Sequence, residues 1–247
     1  MKLVLFLILL SFNDLALSSE EQVEIHASLC PSSQSELLIQ LERASGLIKQ
    51  RNIWYLDHPD LSLNNSGKIL RIRKDIDKNK VTITVKLRTQ DELKFAKPEI
   101  DCEKDWYGEE KKSSCSLDSS LPAHEWDLAL QGKTSLITLF SSTQLHFLFD
   151  NNVYVNWNHL KIYGNIEARI WKYDDKTLEI WSMSNRDKHF EVYEVSTRAP
   201  IKDAQKVQEK LFKDLILRGV KLCSSHESKT KTVLEFLSKN HDFKGDQ

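Results

Sequence analysis

Hydrophobic and polar residues alternate along many stretches of this chain, a pattern typical of strands with one buried face. Residues 22–29 are the clearest case, because apolar residues occupy the odd positions while Glu24, His26 and Ser28 occupy the even ones. The pattern predicts further strands over 52–57, 68–74, 80–89, 97–104, 152–157, 160–162, 166–173, 177–184 and 189–197. The chain is therefore expected to be mostly antiparallel β-structure.

Apolar residues at helical spacing predict a smaller number of helices between these strands. Pro200 precedes a strong helix over 201–218, and Gly219 is well placed to end it. Other helices are predicted over 34–50, near 134–142 and over 229–239, while residues 105–123 are predicted to be a polar excursion without regular structure. Together these elements indicate an α+β fold.

Composition is that of an ordinary globular protein, with 247 residues of which 40% are hydrophobic and 29% are charged. The formal net charge is −1, so no overall basic field is available to attract nucleic acid. Any binding site for an anion must therefore be local.

The N-terminus resembles a secretory signal peptide rather than a part of the fold. Lys2 precedes an apolar run over 3–12, and small residues follow up to Ser18, so cleavage is expected near Ser18. An uncleaved anchor is the alternative, although the apolar run is shorter than the roughly 20 residues that span a bilayer. We expect residues 19–247 to form a single secreted or periplasmic domain, without a membrane span once the signal is removed.

Four cysteines follow the signal, and an even number in an exported chain indicates disulfide bonds. Cys102 and Cys115 are close in sequence, which favours a local bridge and leaves Cys30 to pair with Cys223. Three pairings are possible, and the sequence does not choose among them. A zinc site is less favoured, because no two cysteines have the spacing of a zinc knuckle.

Charged residues recur at two-residue spacing on the predicted strands, so they share one face of each strand. Arg71 and Arg73 share a side, as do Lys86 and Arg88, and Asp101 follows in an acidic strand with Glu99 and Glu103. If these faces line a closed barrel, they form a cage suited to a phosphate chain and a divalent metal. If they face water, this chemistry disappears.

These residues also resemble the motifs of the CYTH family, the triphosphate tunnel metalloenzymes. The likeness covers about residues 23–240 and is most specific over 55–88. It comprises a tyrosine–aspartate–proline turn over 55–63, a glycine and basic strand over 67–73, a strand ending in lysine over 82–86, acidic strands over 98–103 and 190–196, and a short basic motif over 228–231.

The resemblance implies an eight-stranded antiparallel β-tunnel flanked by helices. Its ligand would be a phosphorylated small molecule or polyphosphate, held together with Mg²⁺ or Mn²⁺. Members of the family hydrolyse inorganic or thiamine triphosphate, cyclise ATP, or remove a phosphate from an RNA end. The implied phosphate-binding residues are Arg71, Arg73, Lys86, Arg88 and Arg169, and the implied metal ligands are Glu24, Asp101, Glu103 and Glu194.

The first strand departs from the family pattern. A Glu-x-Glu-x-Lys motif is expected there, but this chain has Glu24, His26 and Ser28 at the three positions. Glu191 and Glu194 also have an odd spacing, which directs them to opposite faces of a regular strand. These departures leave three alternatives open: a metal-dependent phosphohydrolase, a catalytically inactive module that binds polyanions, and a purely structural barrel. No catalytic residue is assigned.

Overall fold

A computed structural model describes residues 21–41, 44–93, 95, 97–224 and 227–239, and the expected signal peptide over 1–18 lies outside them. Within this part of the chain there are nine strands: β1 (Gln22–Leu29), β2 (Ala44–Asp57), β3 (Lys68–Asp75), β4 (Lys80–Thr89), β5 (Asp101–Tyr107), β6 (Glu110–Leu121), β7 (Lys161–Tyr173), β8 (Lys176–Asn185) and β9 (Lys188–Pro200). The α-helices of the same part are α1 (Gln34–Gln40), α2 (Ser62–Asn65), α3 (Ala123–Leu130), α4 (Ser142–Asp150), α5 (Ala204–Leu217) and α6 (Lys229–Ser238).

The strands close into one barrel in the order β1-β5-β6-β4-β3-β2-β7-β8-β9, with β9 pairing back to β1. Every neighbouring pair is antiparallel except β1 and β5, which run parallel. The α+β class and the closed barrel are confirmed, whereas the expected eight antiparallel strands are in fact nine strands with one parallel pair.

Alternation along the strands separates an apolar outer face from a polar inner face. On β1, Val23 and Ile25 are fully buried on the outside, where they pack with residues of α1 and α5 such as Leu37 and Leu211. On the opposite side of the barrel, the apolar residues of β3 and β4 pack beneath α3 and α4, around the fully buried Trp126. These two layers of helix on sheet direct the even-numbered side chains of β1 into the barrel.

Helix α6 packs against inward-facing residues of the barrel. Its Val233 and Leu234 are buried in a cluster with Tyr55, Ile166 and Trp181. The helix begins at the N-cap Ser228, whose side chain accepts a hydrogen bond from the backbone of Lys231. The first residues of α6 therefore lie inside the barrel, beside its polar lining.

Several predicted elements differ from the structure. The helix predicted over 34–50 ends at Gln40, and the chain then enters β2, which pairs with β7 from Ala44 onward. The stretch 105–123, predicted to be irregular, completes β5 and forms β6, whose serine-rich inner face is polar because it faces the barrel interior.

Two further predictions in the second half are wrong. The helix predicted near 134–142 is a 3₁₀ turn over Leu136–Leu139, and the α-helix starts at Ser142, where Ser141 and Gln144 form a reciprocal capping box. No strand forms over 152–157, and the two short strands predicted over 160–162 and 166–173 are one continuous strand, β7.

Both expected disulfides are present. Cys102 and Cys115 lie directly opposite each other on β5 and β6, with Cα atoms 4.0 Å apart. Cys30 and Cys223 join the end of β1 to the segment between α5 and α6, with Cα atoms 5.0 Å apart. Among the described helices, none combines the length and the apolar character needed to traverse a bilayer.

Candidate functional site

The inward faces of the strands enclose a polar cavity of about 270 Å³. Seven carboxylates and six lysine or arginine side chains line it, together with His26. The charged or titratable lining residues are Glu24, His26, Arg71, Arg73, Lys86, Arg88, Asp101, Glu103, Asp105, Tyr107, Asp118, Glu179, Glu194, Arg198 and Lys229. Both signs of charge therefore converge inside the barrel, as the alternation along the strands indicates.

Four of the five expected phosphate-binding residues line this cavity: Arg71, Arg73, Lys86 and Arg88. Strand register explains their convergence, because Arg71 and Arg73 on β3 lie on the same face as Lys86 and Arg88 on the adjacent β4. Their aliphatic neighbours Leu70, Ile72, Val85 and Leu87 point outward into the core beneath α3 and α4.

Arg169 is not brought to the cavity. Ile166 and Ala168 occupy the inward positions of β7, so Arg169 lies on the outer face. There its guanidinium donates hydrogen bonds to Gln34 at 2.8 Å and to Ser182 at 3.1 Å, and lies 3.7 Å from Glu191. The expectation that Arg169 binds phosphate inside the tunnel conflicts with this placement.

All four expected metal ligands, Glu24, Asp101, Glu103 and Glu194, line the cavity. The odd spacing of Glu191 and Glu194 has the predicted effect, since Glu194 faces inward while Glu191 bonds to Ser182 on the outside. Glu194 is almost fully buried, whereas Asp101 is exposed at the edge of the cavity.

Several lining residues were not expected as ligands, namely Asp105, Asp118, Glu179 and Arg198. Asp105 continues the two-residue spacing of Asp101 and Glu103, so the sequence carried a signal for it. Asp118 lies on β6, a strand that the sequence analysis did not predict. Glu179 lies on a strand predicted to within one residue at each end, but its inward direction depends on the pairing of β8 with β7 and β9, which the sequence does not give.

Most carboxylates of the lining are paired with cations of the chain. Lys86 Nζ lies 2.8 Å from Glu103 Oε1, and Arg88 Nη2 lies 3.4 Å from Asp105 Oδ2. Burial would raise the pKa of Asp105, but the hydrogen bond from His26 and the charges of Lys86 and Arg88 hold it well below its usual range. This part of the tunnel is therefore close to electrically balanced.

His26 lies between two carboxylates. Its Nδ1 donates to Glu194 Oε1 at 3.0 Å and its Nε2 faces Asp105 Oδ1 at 3.5 Å, while its ring stacks on Tyr107 with centroids 4.4 Å apart. Burial would lower the pKa of His26, but these two carboxylates outweigh it and raise the pKa to about 10. His26 thus supplies a positive charge at the position where the family pattern has a glutamate.

Lys229 of α6 supplies a second internal cation. Its Nζ lies 2.5 Å from Glu179 Oε2 and 2.8 Å from Glu194 Oε1, above the ring of Trp181. Burial would raise the pKa of Glu194, but Lys229 and His26 outweigh it and lower the pKa to about 2. The helix that enters the barrel therefore takes part in the charge balance of the tunnel.

A group of three residues could hold a metal ion. Glu24, His26 and Asp105 each place one ligand atom within 4.8 Å of the others. The set contains a nitrogen donor, however, whereas Mg²⁺ prefers oxygen ligands throughout. Each of the three is also bonded to side chains of the protein, Glu24 to Arg198 at 3.5 Å among them. The arrangement therefore fits the all-oxygen site of Mg²⁺ poorly.

Comparison with known proteins gives a result at the level of fold. No protein-family model matches the chain, and no curated protein matches its sequence. A solved structure of a candidate adenylyl cyclase from Hippeastrum, described as revealing a dominant triphosphatase activity, aligns with a TM-score of 0.59 at 14% identity, covering 89% of this chain and 100% of the other. A candidate adenylate cyclase from Bacillus halodurans aligns with a TM-score of 0.56 at 18% identity, covering 86% and 97%.

These similarities extend over nearly the whole of both solved chains. They agree with the motifs over 55–88 and with the charged cavity inside a closed barrel. The chain has the CYTH-like, triphosphate-tunnel fold.

Proposed function

We propose that the tunnel binds a triphosphate or another phosphorylated anion outside the cytoplasm. The observation that carries the proposal is Arg71, which lies in the cavity without a hydrogen bond or ion pair to any side chain in the described part of the protein. A guanidinium presents a planar fork of donors that matches phosphate oxygens. A phosphate group in the cavity would satisfy those donors.

The other basic residues support the same ligand. Arg73 and Lys86 line the same space, and each keeps donors in addition to those it gives to Asp118 and Glu103. The triphosphatase activity described for the Hippeastrum structure is consistent with a phosphate chain as the ligand. Two disulfides and the expected signal peptide favour a secreted or periplasmic location.

Calorimetric titration of tripolyphosphate into the oxidised protein, in buffer containing EDTA, tests the proposal. Wild-type protein should bind, and Arg71→Gln should weaken binding about tenfold or more, because a hydrogen bond to a charged group contributes roughly 1.5–3 kcal/mol. Arg169→Gln is the matched control, since Arg169 lies on the outer face, and it should bind like wild type. Absence of binding to wild-type protein, with or without metal, would leave only a structural role for the barrel.

A metal-dependent phosphohydrolase is the second candidate, favoured by the carboxylates Glu24, Asp101 and Glu103, which line the cavity and offer the oxygen ligands that Mg²⁺ prefers. A bound Mg²⁺ or Mn²⁺ would neutralise charge on phosphate oxygens and orient a water molecule. The experiment is to measure phosphate release from tripolyphosphate and ATP with each ion added. Release that requires the ion and is lost in Glu24→Gln would support the enzyme. Binding without release would support a module that only captures its ligand.

A further inference from the structure

We infer that Arg51 joins Arg71 and Arg73 in a single anion subsite on β2 and β3, which takes a terminal phosphate group without a metal. The inference rests on the proposed function and deepens it. It adds a residue that neither the sequence motifs nor the family resemblance assigns, and it identifies the part of the phosphorylated ligand that binds there.

Strand register places the three arginines on one face. In the ladder between β2 and β3, Arg51 lies opposite Asp75, Ile53 opposite Arg73, and Tyr55 opposite Arg71. Ile53 and Tyr55 pack with interior residues of the barrel, so Arg51, two residues before Ile53, shares their inward face. Arg51 and Arg73 are diagonal neighbours, a separation that long side chains can bridge.

One donor of each arginine in this group lacks an acceptor. The Nε atoms of Arg51, Arg71 and Arg73 are buried, and none has a hydrogen-bond partner in the described part of the protein. Buried polar groups are usually satisfied, and leaving a donor unpaired destabilises the folded state. An unpaired Nε alone does not mark the site, because the Nε atoms of Arg88 and Arg169 are unpaired too. The inward face shared by the three arginines, together with these free donors, indicates a site for an anion that the chain itself does not supply.

Nearby carboxylates offset the charge of the group only in part, Glu179 being the one that acts most on Arg51. Asp75, directly opposite Arg51, forms its ion pair with Lys49 at 2.9 Å. Arg73 alone is paired, with Asp118 at 2.8 Å. The side chain of Arg51 forms no ion pair or hydrogen bond within the described residues, and its buried Nε is unpaired. The group thus carries an excess of positive charge, in contrast to the balanced pairs around Asp105.

Burial is the main cause of the lowered pKa values in this group, and repulsion between the arginines adds to it. Burial lowers the pKa of Arg73 to about 10, and the charges of Arg71 and Arg51 add to this effect against the opposing charge of Asp118. Burial also lowers the pKa of Arg51, and Arg71 adds to the shift although Glu179 and Asp75 oppose it. An anion bound among the three would relieve this repulsion.

The charge of the subsite favours one end of the ligand. A terminal phosphate carries about two negative charges near neutral pH, whereas an internal, bridging phosphate carries one. The terminal group also offers three free oxygens to the planar donor forks of arginine. We therefore expect tripolyphosphate and pyrophosphate to bind through a terminal group at Arg51, Arg71 and Arg73.

The test is calorimetric titration of tripolyphosphate and pyrophosphate into the full, oxidised protein at fixed ionic strength in EDTA. Arg51→Gln should weaken the binding of both about tenfold or more. Arg51→Lys, which keeps the charge without the fork, should fall between Arg51→Gln and wild type. Arg169→Gln, the outer-face control, should stay within about twofold of wild type.

Thermal unfolding without ligand separates binding from a structural role. If Arg51 serves the ligand, Arg51→Gln removes a repelling charge and should leave the midpoint unchanged or raised. A lower midpoint combined with unchanged affinity would overturn the inference. Wild-type affinity for tripolyphosphate in Arg51→Gln would also overturn it while leaving the proposed function intact. Binding that requires Mg²⁺ or Mn²⁺ would overturn the metal-free assignment, and no binding by wild-type protein would refute the proposed function itself.

Discussion

Lys229 offers the sharpest test of charge balance in the tunnel. It lies within 2.8 Å of both Glu179 and Glu194, and its side chain is only 14% exposed. Lys229→Met keeps most of the apolar volume of the side chain and removes its charge. The two buried carboxylates then lose the cation that they share.

The expected loss of stability follows from the pKa of Glu194. A shift from the usual 4.5 to about 2 corresponds to roughly 3 kcal/mol of folding free energy at neutral pH, because each unit is worth about 1.4 kcal/mol. Lys229 is the largest favourable cause of that shift. Breaking a buried ion pair by removing one partner typically destabilises by about 3–5 kcal/mol. We expect Lys229→Met to lower the free energy of unfolding by about 3 kcal/mol, or the melting temperature by about 6–12 °C.

Thermal unfolding of the variant at pH 7 measures this loss, with Lys231→Met as the matched control. Lys231 lies two residues after Lys229 on the same helix, has a side chain that is 44% exposed, and pairs with Glu227 and Glu235 at the surface. Such surface pairs contribute about 0.3–0.5 kcal/mol, so the control should melt within about 2 °C of wild type.

The dependence on pH gives an independent criterion. Because the folded-state pKa of Glu194 is depressed, its stabilisation is fully present above pH 4.5 and is lost as the pH falls toward about 2. The gap between wild type and Lys229→Met should therefore narrow below pH 4.5. A variant that melts with wild type at pH 7, or a gap of equal size at pH 7 and pH 3, would refute the reasoning.

Three other variants test the scaffold. Gly67→Ala should lower the melting temperature and weaken binding of tripolyphosphate, because Gly67 has a φ of +74° and an added Cβ would lie 2.1 Å from the carbonyl oxygen of Arg88. Asp57→Ala should cost about 2–4 kcal/mol in denaturant unfolding, since the buried Asp57 carboxylate accepts three backbone N–H bonds at 2.8–3.0 Å. Replacing Cys30 and Cys223 by serine should lower the free energy of unfolding by about 4 kcal/mol in the same denaturant experiment, because their disulfide bond closes a separation of 193 residues. Equal stability of the reduced and oxidised wild-type protein would contradict this last expectation.

Much of the site could be predicted from alternation alone. On β1, β3 and β4 one face is apolar and the other polar, so Glu24, Arg71 and Lys86 are assigned to the interior by the requirement to bury the other face. The prediction for Arg169 was wrong because β7 has bulky residues on both faces. Trp171, for example, lies on the outer face, so the sequence does not show which face of this strand lines the cavity. Where both faces of a strand are partly apolar, alternation no longer shows which face points into the barrel.

Contacts between distant residues set the remaining part of the site. Lys229 meets Glu179 and Glu194 only because α6 returns to the barrel interior, and the periodicity of a helix does not say which surface it covers. The β6 strand was missed for a related reason. A serine-rich segment is typical of a loop, and only the closed barrel places hydrogen-bond partners next to the serine hydroxyls. Ser114, for example, donates to Asp105 at 3.0 Å.

The bond between Cys30 and Cys223 links the redox state of the compartment to the interior of the tunnel. It tethers the chain to the end of β1 shortly before Lys229, which keeps the local concentration of α6 at the barrel high. In a reducing cytoplasm this tether would be absent, Lys229 would leave the barrel more often, and Glu194 would meet water. An oxidising compartment would therefore keep Lys229 between its two carboxylates.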